Sequence, residues 1–205
     1  YCNPEWVAAD LLAQSEHSAD VLSILLSKNK NFIEKVKVSM ANQLKNFERK
    51  LCKFTNSNYA IACINGTSAL QISLKLAGVK SGDEVIVPAT TFVATPNIVI
   101  HNRLKPVFVD VEPLTYCIDH EQIEAMISDQ TVAILAPNLM GNLCNWIAIR
   151  SIADKYNLIV IEDSADTLGA KFNGKSSGYY SDMSITSFYG SHIINCAGNG
   201  GMVCC

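Results

Sequence analysis

From about Phe47 onward, apolar strand-like runs alternate with segments of helical spacing, and this alternation constrains the fold more than any other feature of the sequence. The spacing predicts a helix over Ser68 to Ala77, ended by Gly78, then a strand Glu84 to Val87, a helix Thr95 to Asn102 and a strand Pro106 to Val109. It continues with a helix near Glu121 to Ile127, a strand Thr131 to Leu135, a helix Asn145 to Tyr156 and a strand Leu158 to Ile161. Parallel strands need a connection of helix length, so this rhythm implies a largely parallel sheet covered by helices on both faces, a three-layer α/β fold. In such sheets ligands collect beyond the carboxyl ends of the strands. The residues that follow each apolar run are therefore the candidates for chemistry.

The 205 residues carry 16 Lys+Arg against 19 Asp+Glu, with 49% apolar and 17% charged positions. That balance fits a globular chain and excludes disordered, collagen-like or coiled-coil classes. With no dense basic stretch, nucleic acid is not an expected partner; a small molecule is. Apolar runs such as VIVPA and LIVI fall far short of the roughly 20 residues a membrane span requires, and the first residues are not a signal peptide, so a cytoplasmic location is expected. The 8 cysteines form no CxxC pair and are expected to be reduced, mostly buried thiols. The chain lacks an initiating Met and stops within a strand-like run, Gly201 to Cys205, which is the pattern expected of a fragment.

Three places after strands stand out. Asn65-Gly-Thr-Ser-Ala69 opens a helix with small and hydroxyl residues, which suits a phosphate at a helix N-terminus and equally suits an ordinary N-cap. Pro88 to Ala94 sets Phe92 among small residues, either at an open sheet edge or as a core aromatic. Ile161-Glu-Asp-Ser-Ala-Asp166 puts carboxylates directly off an apolar strand, where a carboxylate without a cationic partner is costly. A protonated ring nitrogen would meet that need, and an Asp that merely caps the next helix is the alternative. Farther on, Ser184 to Gly201 places His192 in a loop rich in hydroxyls and glycine.

Taken together and in order, NGTSAL, GDEVIVPATTFVATPN, PVFVDV, LIVIEDSADTLGA and SFYGSH…GNGG resemble the large domain of the pyridoxal-phosphate sugar aminotransferase/dehydratase family, the DegT/DnrJ/EryC/StrS family, over residues 47–205. The resemblance implies the large domain of a fold-type I transferase, here incomplete. It also implies that Gly66, Thr67, Ser68 and Ser187 hold the coenzyme phosphate, that Phe92 stacks on its ring, and that Asp163 pairs with the ring nitrogen and preserves the electron sink. In the family's aminotransferases the residue matching 192 is a lysine that tethers the coenzyme aldehyde. Here it is His192, and imidazole cannot make that stable imine. Asp166, where Gln or His is usual, and Gly141-Asn142 also resemble the dehydratase branch.

That resemblance implies a homodimeric enzyme that uses pyridoxamine phosphate to remove the 3-hydroxyl of a nucleotide-linked 4-keto-6-deoxyhexose in surface-polysaccharide sugar synthesis. His192 would take a proton from the coenzyme's C4′ and could protonate the leaving hydroxyl. Reduction would follow either through an iron–sulfur cluster outside this chain and a partner reductase, or by regeneration from glutamate. A non-catalytic relative that binds coenzyme or sugar nucleotide is the competing reading.

Residues 1–46 have another texture. Asn3 to His17, followed by Ser23 to Leu26, resembles an internal segment of histidinol dehydrogenase, in which the residues matching Gln14 and His17 are zinc ligands. Their i, i+3 spacing puts both on one helix face, but two ligands do not close a zinc site. A zinc- and NAD-dependent remnant of that enzyme is the third functional reading. A Lys/Asn-rich helix over Asn31 to Lys45 is expected to precede the junction.

Overall fold

The computed structural model describes residues 2–15, 23–196 and 199–205, and of residues 13–15 the backbone only. Helices α1 (Pro4–Ser15) and α2 (Lys30–Thr55) come first. Then follow β1 (Ala60–Cys63), α3 (Gly66–Leu76), β2 (Glu84–Pro88), α4 (Ala94–His101), β3 (Lys105–Val109), α5 (His120–Ile123), β4 (Thr131–Pro137), α6 (Trp146–Tyr156) and β5 (Ile159–Asp163). A hairpin of β6 (Lys171–Phe172) and β7 (Lys175–Ser176) leads to β8 (Met183–Ser187) and β9 (Gly201–Cys204).

Seven strands form one sheet in the order β1-β9-β8-β5-β4-β2-β3. From β8 to β3 every pairing is parallel; helices cross between the strands from β2 to β5, and the β6–β7 hairpin with its flanking turns makes the crossover from β5 to β8. Strand β9 is antiparallel to both β8 and β1. The chain between β8 and β9 contains no helix among its described residues and returns directly, so the two strands pair antiparallel. Reversing β9 leaves β1 pointing the same way as β8. The carboxyl ends of β1, β2, β4, β5 and β8 therefore open on one edge of the sheet.

Side chains alternate between the faces. On one face Val85, Val87, Leu135, Ile161 and Val203 pack with Leu70 and Leu74 of α3 and Ile98 and Val99 of α4. On the other, Ile86, Ile134 and Val160 pack with Trp146 and Ile149 of α6. Leu51 of α2 covers Ala60, Met202 and Cys204 at the β1/β9 end. This is the expected three-layer architecture.

Three readings of the sequence are corrected. Helix α2 does not stop near Lys45: Asn29 caps its start by accepting from the Phe32 N–H at 3.1 Å, and it runs unbroken to Asn56, which ends it in the left-handed region at φ 58°. Leu51 continues the apolar stripe beyond Lys45, so position 46/47 falls inside one helix. The helix expected near Glu121 to Ile127 is a single turn, α5, followed by a 3-10 turn over residues 124–126. Of the cysteines only Cys117, Cys144 and Cys204 are buried. Cys52, on α2, Cys63, at the end of β1, and Cys196, in the loop before β9, are half-buried, and Cys2 and Cys205 are exposed. All are free thiols. His17 and the Gln14 side chain lie outside the described residues.

Candidate active site

Where β1 gives way to α3, the Asn65 Oδ1 accepts from the Ser68 N–H at 2.7 Å, and the Asn65 carbonyl accepts from the Ala69 N–H at 3.1 Å. The N–H groups of Gly66 and Thr67 have no partner among the described residues, so they and the positive end of α3 offer an anion cradle. Two glycines make room for it. A Cβ on Gly66 would stand 2.8 Å from Ser187 Cβ, and one on Gly201 would stand 2.3 Å from the Asn65 carbonyl oxygen. The sheet edge thus brings Ser187, at the end of β8, against the start of α3. Phe92, just after β2, is 69% exposed, which excludes a core role and leaves its ring free at the same edge.

Neighbouring residues of β5 point to opposite faces, so Glu162 and Asp163 have different fates. Asp163 is buried, accepts one hydrogen bond, from the Ala165 N–H at 3.0 Å, and has no cationic partner among the described residues. Burial pushes its carboxyl up to about 6, the Ala165 N–H opposes this, and the charges of Asp166 and Glu162 add to the rise. A cation beside it would remove that cost. Glu162 needs none: Asn138 Nδ2 (3.0 Å), Ser164 Oγ (2.6 Å), the Gly178 N–H (2.9 Å) and Ser181 Oγ (3.4 Å) all donate to it. No local spacing announces this network of neutral donors, since its members come from three separate loops.

His192 lies in the turn after β8, its side chain 23% exposed. Its Nδ1 is 3.4 Å from the Ser187 carbonyl oxygen, and a carbonyl only accepts, so the ring proton of the neutral form sits on Nδ1. That leaves the Nε2 lone pair available, 3.9 Å from Asp166 Oδ1. The other Asp166 oxygen accepts from the Met140 N–H at 3.1 Å. Tyr189 approaches the imidazole edge-on, centroids 5.9 Å apart. A base with a fixed tautomer and a carboxylate to steady its charged form is equipped to move a proton.

Among the described residues one other group, Glu112, Asp119 and His120, brings possible metal-ligand atoms near one another. Asn145 commits its Oδ1 to the Ala148 N–H and presents Nδ2 to His120 Nε2, which puts the imidazole proton on Nδ1, 3.2 Å from Glu112 Oε1. The group reads as a histidine held between Asn145 and the Glu112 carboxylate.

The sequence model of the DegT/DnrJ/EryC1/StrS aminotransferase family matches residues 26–205. The chain belongs to this family. The match starts at residue 26, 21 residues ahead of the boundary expected at 47.

Among the family's characterised members, GDP-perosamine synthase of Caulobacter vibrioides is 41% identical over 157 residues, 77% of this chain and 42% of that protein. UDP-2-acetamido-2-deoxy-3-oxo-D-glucuronate aminotransferase of Pseudomonas aeruginosa is 44% identical over 156 residues, 76% of this chain and 44% of that protein. The chain thus spans less than half the length of these relatives. The structure of Escherichia coli GDP-4-keto-6-deoxy-D-mannose-3-dehydratase with bound hydrated PLP covers 100% of this chain and 49% of its own, at 27% identity and a TM-score of 0.76. The mostly parallel sheet is that of fold-type I transferases.

The residues fit a phosphorylated pyridine coenzyme. The free N–H groups at Gly66 and Thr67 suit its phosphate, and the unpaired, buried Asp163 suits its ring nitrogen. No described helix is long and apolar enough to cross a membrane.

Proposed function

We propose that the protein carries out the C3 dehydration of a nucleotide-linked 4-keto-6-deoxyhexose with pyridoxamine phosphate, in the cytoplasm, as a homodimer, as a step in surface-polysaccharide sugar synthesis. The observation that carries this is His192: an imidazole with a free Nε2, steadied by Asp166, at the position where the family's aminotransferases are expected to have a tethering lysine. Gly66, Thr67, Ser68 and Ser187 hold the coenzyme phosphate, Phe92 covers the ring, and Asp163 pairs with its nitrogen. The coenzyme supplies an amine for the 4-keto group and an electron sink. Asp163, buried, keeps the ring nitrogen protonated. His192 carries the proton on Nε2, and Asp166 stabilises the imidazolium while it does so. Regeneration by a cluster and partner reductase or by glutamate is an open branch of this proposal, as is the descent of residues 1–46.

Two measurements test it. Treating the protein with one equivalent of pyridoxal phosphate and then borohydride should leave no stoichiometric adduct at a single lysine by peptide mass spectrometry; such an adduct, displaced by pyridoxamine phosphate, would assign amino transfer instead. Incubation in deuterated water with pyridoxamine phosphate and a nucleotide-linked 4-keto-6-deoxyhexose should place deuterium at the coenzyme's C4′ with the native protein and not with His192→Asn. An unlabelled coenzyme with the native protein would favour a non-catalytic relative.

A further inference from the structure

Asn138 follows β4, is 2% exposed, and spends its whole amide on buried partners. Its Nδ2 donates to Glu162 Oε1 (3.0 Å) and Ser164 Oγ (3.2 Å), and its Oδ1 accepts from the Cys144 N–H (3.0 Å) and the Trp146 Nε1–H (3.1 Å). Its own N–H donates to the Asp163 carbonyl oxygen at 2.9 Å. The loop from 139 to 143 is thus pinned at both ends by one side chain. Within it Met140, exposed at 76%, sits at φ 55° and Gly141 at φ 86°. A non-glycine residue in the left-handed region costs about 1–3 kcal/mol and persists only where the surroundings over-determine it. The exposed Met140 side chain does not account for that conformation. The strained residue does present its N–H to Asp166 Oδ2, and Asp166 Oδ1 faces His192 Nε2.

We infer that Asn138, backed by Glu162, is a positioning residue whose task is to hold the 139–143 loop so that the Met140 N–H fixes Asp166 against His192. Glu162 makes Asn138 directional: a carboxylate that already accepts from Ser164, Gly178 and Ser181 can take only a donor from the amide, so Nδ2 faces it and Oδ1 faces Cys144 and Trp146. The orientation is therefore set by chemistry and not by shape, since the two ends of an amide are nearly isosteric. The inference rests on the reading of His192 as a proton carrier for its meaning in catalysis, though not for its test.

The test compares the His192 ring resonances by NMR at one fixed pH in the native protein, Asn138→Ala, Asp166→Asn and the double variant. The groups facing this imidazole among the described residues are the Asp166 carboxylate, the Tyr189 ring and the Ser187 carbonyl. Loss of the carboxylate contact should displace the His192 Nε2 and Hε1 resonances. Asn138→Ala should displace them in the same direction as Asp166→Asn, and the double variant no more than either, because both act through one contact. If Asn138→Ala leaves these resonances in place while Asp166→Asn moves them, or if the two displacements add, the inference fails. Should Asn138→Ala not fold, Asn138→Asp keeps the volume but sets a carboxylate against Glu162, and the same displacement is required of it. Failure of the dehydration proposal shows separately, as absent C4′ deuterium in the native protein with the resonances unchanged.

Discussion

Gly201, the first residue of β9, lies so close to Asn65 that a Cβ on the glycine would fall 2.3 Å from the asparagine carbonyl carbon's oxygen and 2.8 Å from the Gly66 nitrogen. The antiparallel strand thereby abuts the loop that starts α3. Gly201 has no left-handed torsion, so space and not conformation demands glycine. Gly201→Ala must displace backbone, which does not yield like a flexible side chain, and should lower stability by about 1–3 kcal/mol. Urea unfolding measures the loss, and a weakened affinity for pyridoxal phosphate should accompany it. An alanine variant with native stability would show that β9 and the α3 start are farther apart than described.

Gly66 and Ser187 make a second, softer contact of this kind. A Cβ on Gly66 meets Ser187 Cβ at 2.8 Å and Oγ at 3.1 Å. Gly66→Ala should therefore destabilise by about 1–3 kcal/mol, and Ser187→Gly in the same chain should recover part of that by removing the opposing atoms. A double-variant cycle from urea midpoints gives the coupling. Strict additivity would mean that the two residues do not touch.

Most of the sheet was legible because a buried strand and an amphipathic helix each leave a period in the sequence, as the runs Glu84 to Val87 and Leu158 to Ile161 show. The edge that gathers Gly66, Asp163, Ser187 and His192 followed from the strand ends. Two things did not. The reversal of β9 depends on a loop without helical period, and its consequence, that Gly201 seats against Asn65, is a contact between distant positions. The Asn138–Glu162 unit depends on donors from residues 138, 164, 178 and 181, which no local spacing connects. Helix α2 was read short because no buried position between Val36 and Leu51 marks its core face, which leaves the period faint across that stretch.

The Asn65 cap lends itself to a smaller change. Its Oδ1 satisfies the Ser68 N–H at 2.7 Å, one of the donors the helix start leaves free. Asn65→Ala should cost about 0.5–2 kcal/mol, and Asn65→Asp should keep the cap but set a negative charge beside the phosphate cradle. Thermal unfolding should then rank native and Asp above Ala, while pyridoxal phosphate affinity ranks Asp below native. An Asp variant that binds the coenzyme as tightly as the native chain would place the phosphate elsewhere.

Asp163 gives the sharpest dependence on pH. Its carboxyl, raised to about 6 mainly by burial, ionises in the folded chain well above the ordinary value near 4 expected when unfolded. Between those values the unfolded chain gives up this proton first, so the contribution of Asp163 is most favourable below about pH 4. It declines as pH rises to about 6 and is constant above, a loss of roughly 3 kcal/mol at most. Asp163→Asn removes the titration. Without coenzyme, the variant should match the native protein near pH 4 and exceed it at pH 8, and the difference between their urea midpoints isolates this residue from the other carboxylates. With coenzyme the order at pH 8 should reverse, because the ionised carboxylate then has a cation and the amide does not. A variant less stable than the native protein at pH 8 without coenzyme would mean that Asp163 is already paired in the folded chain.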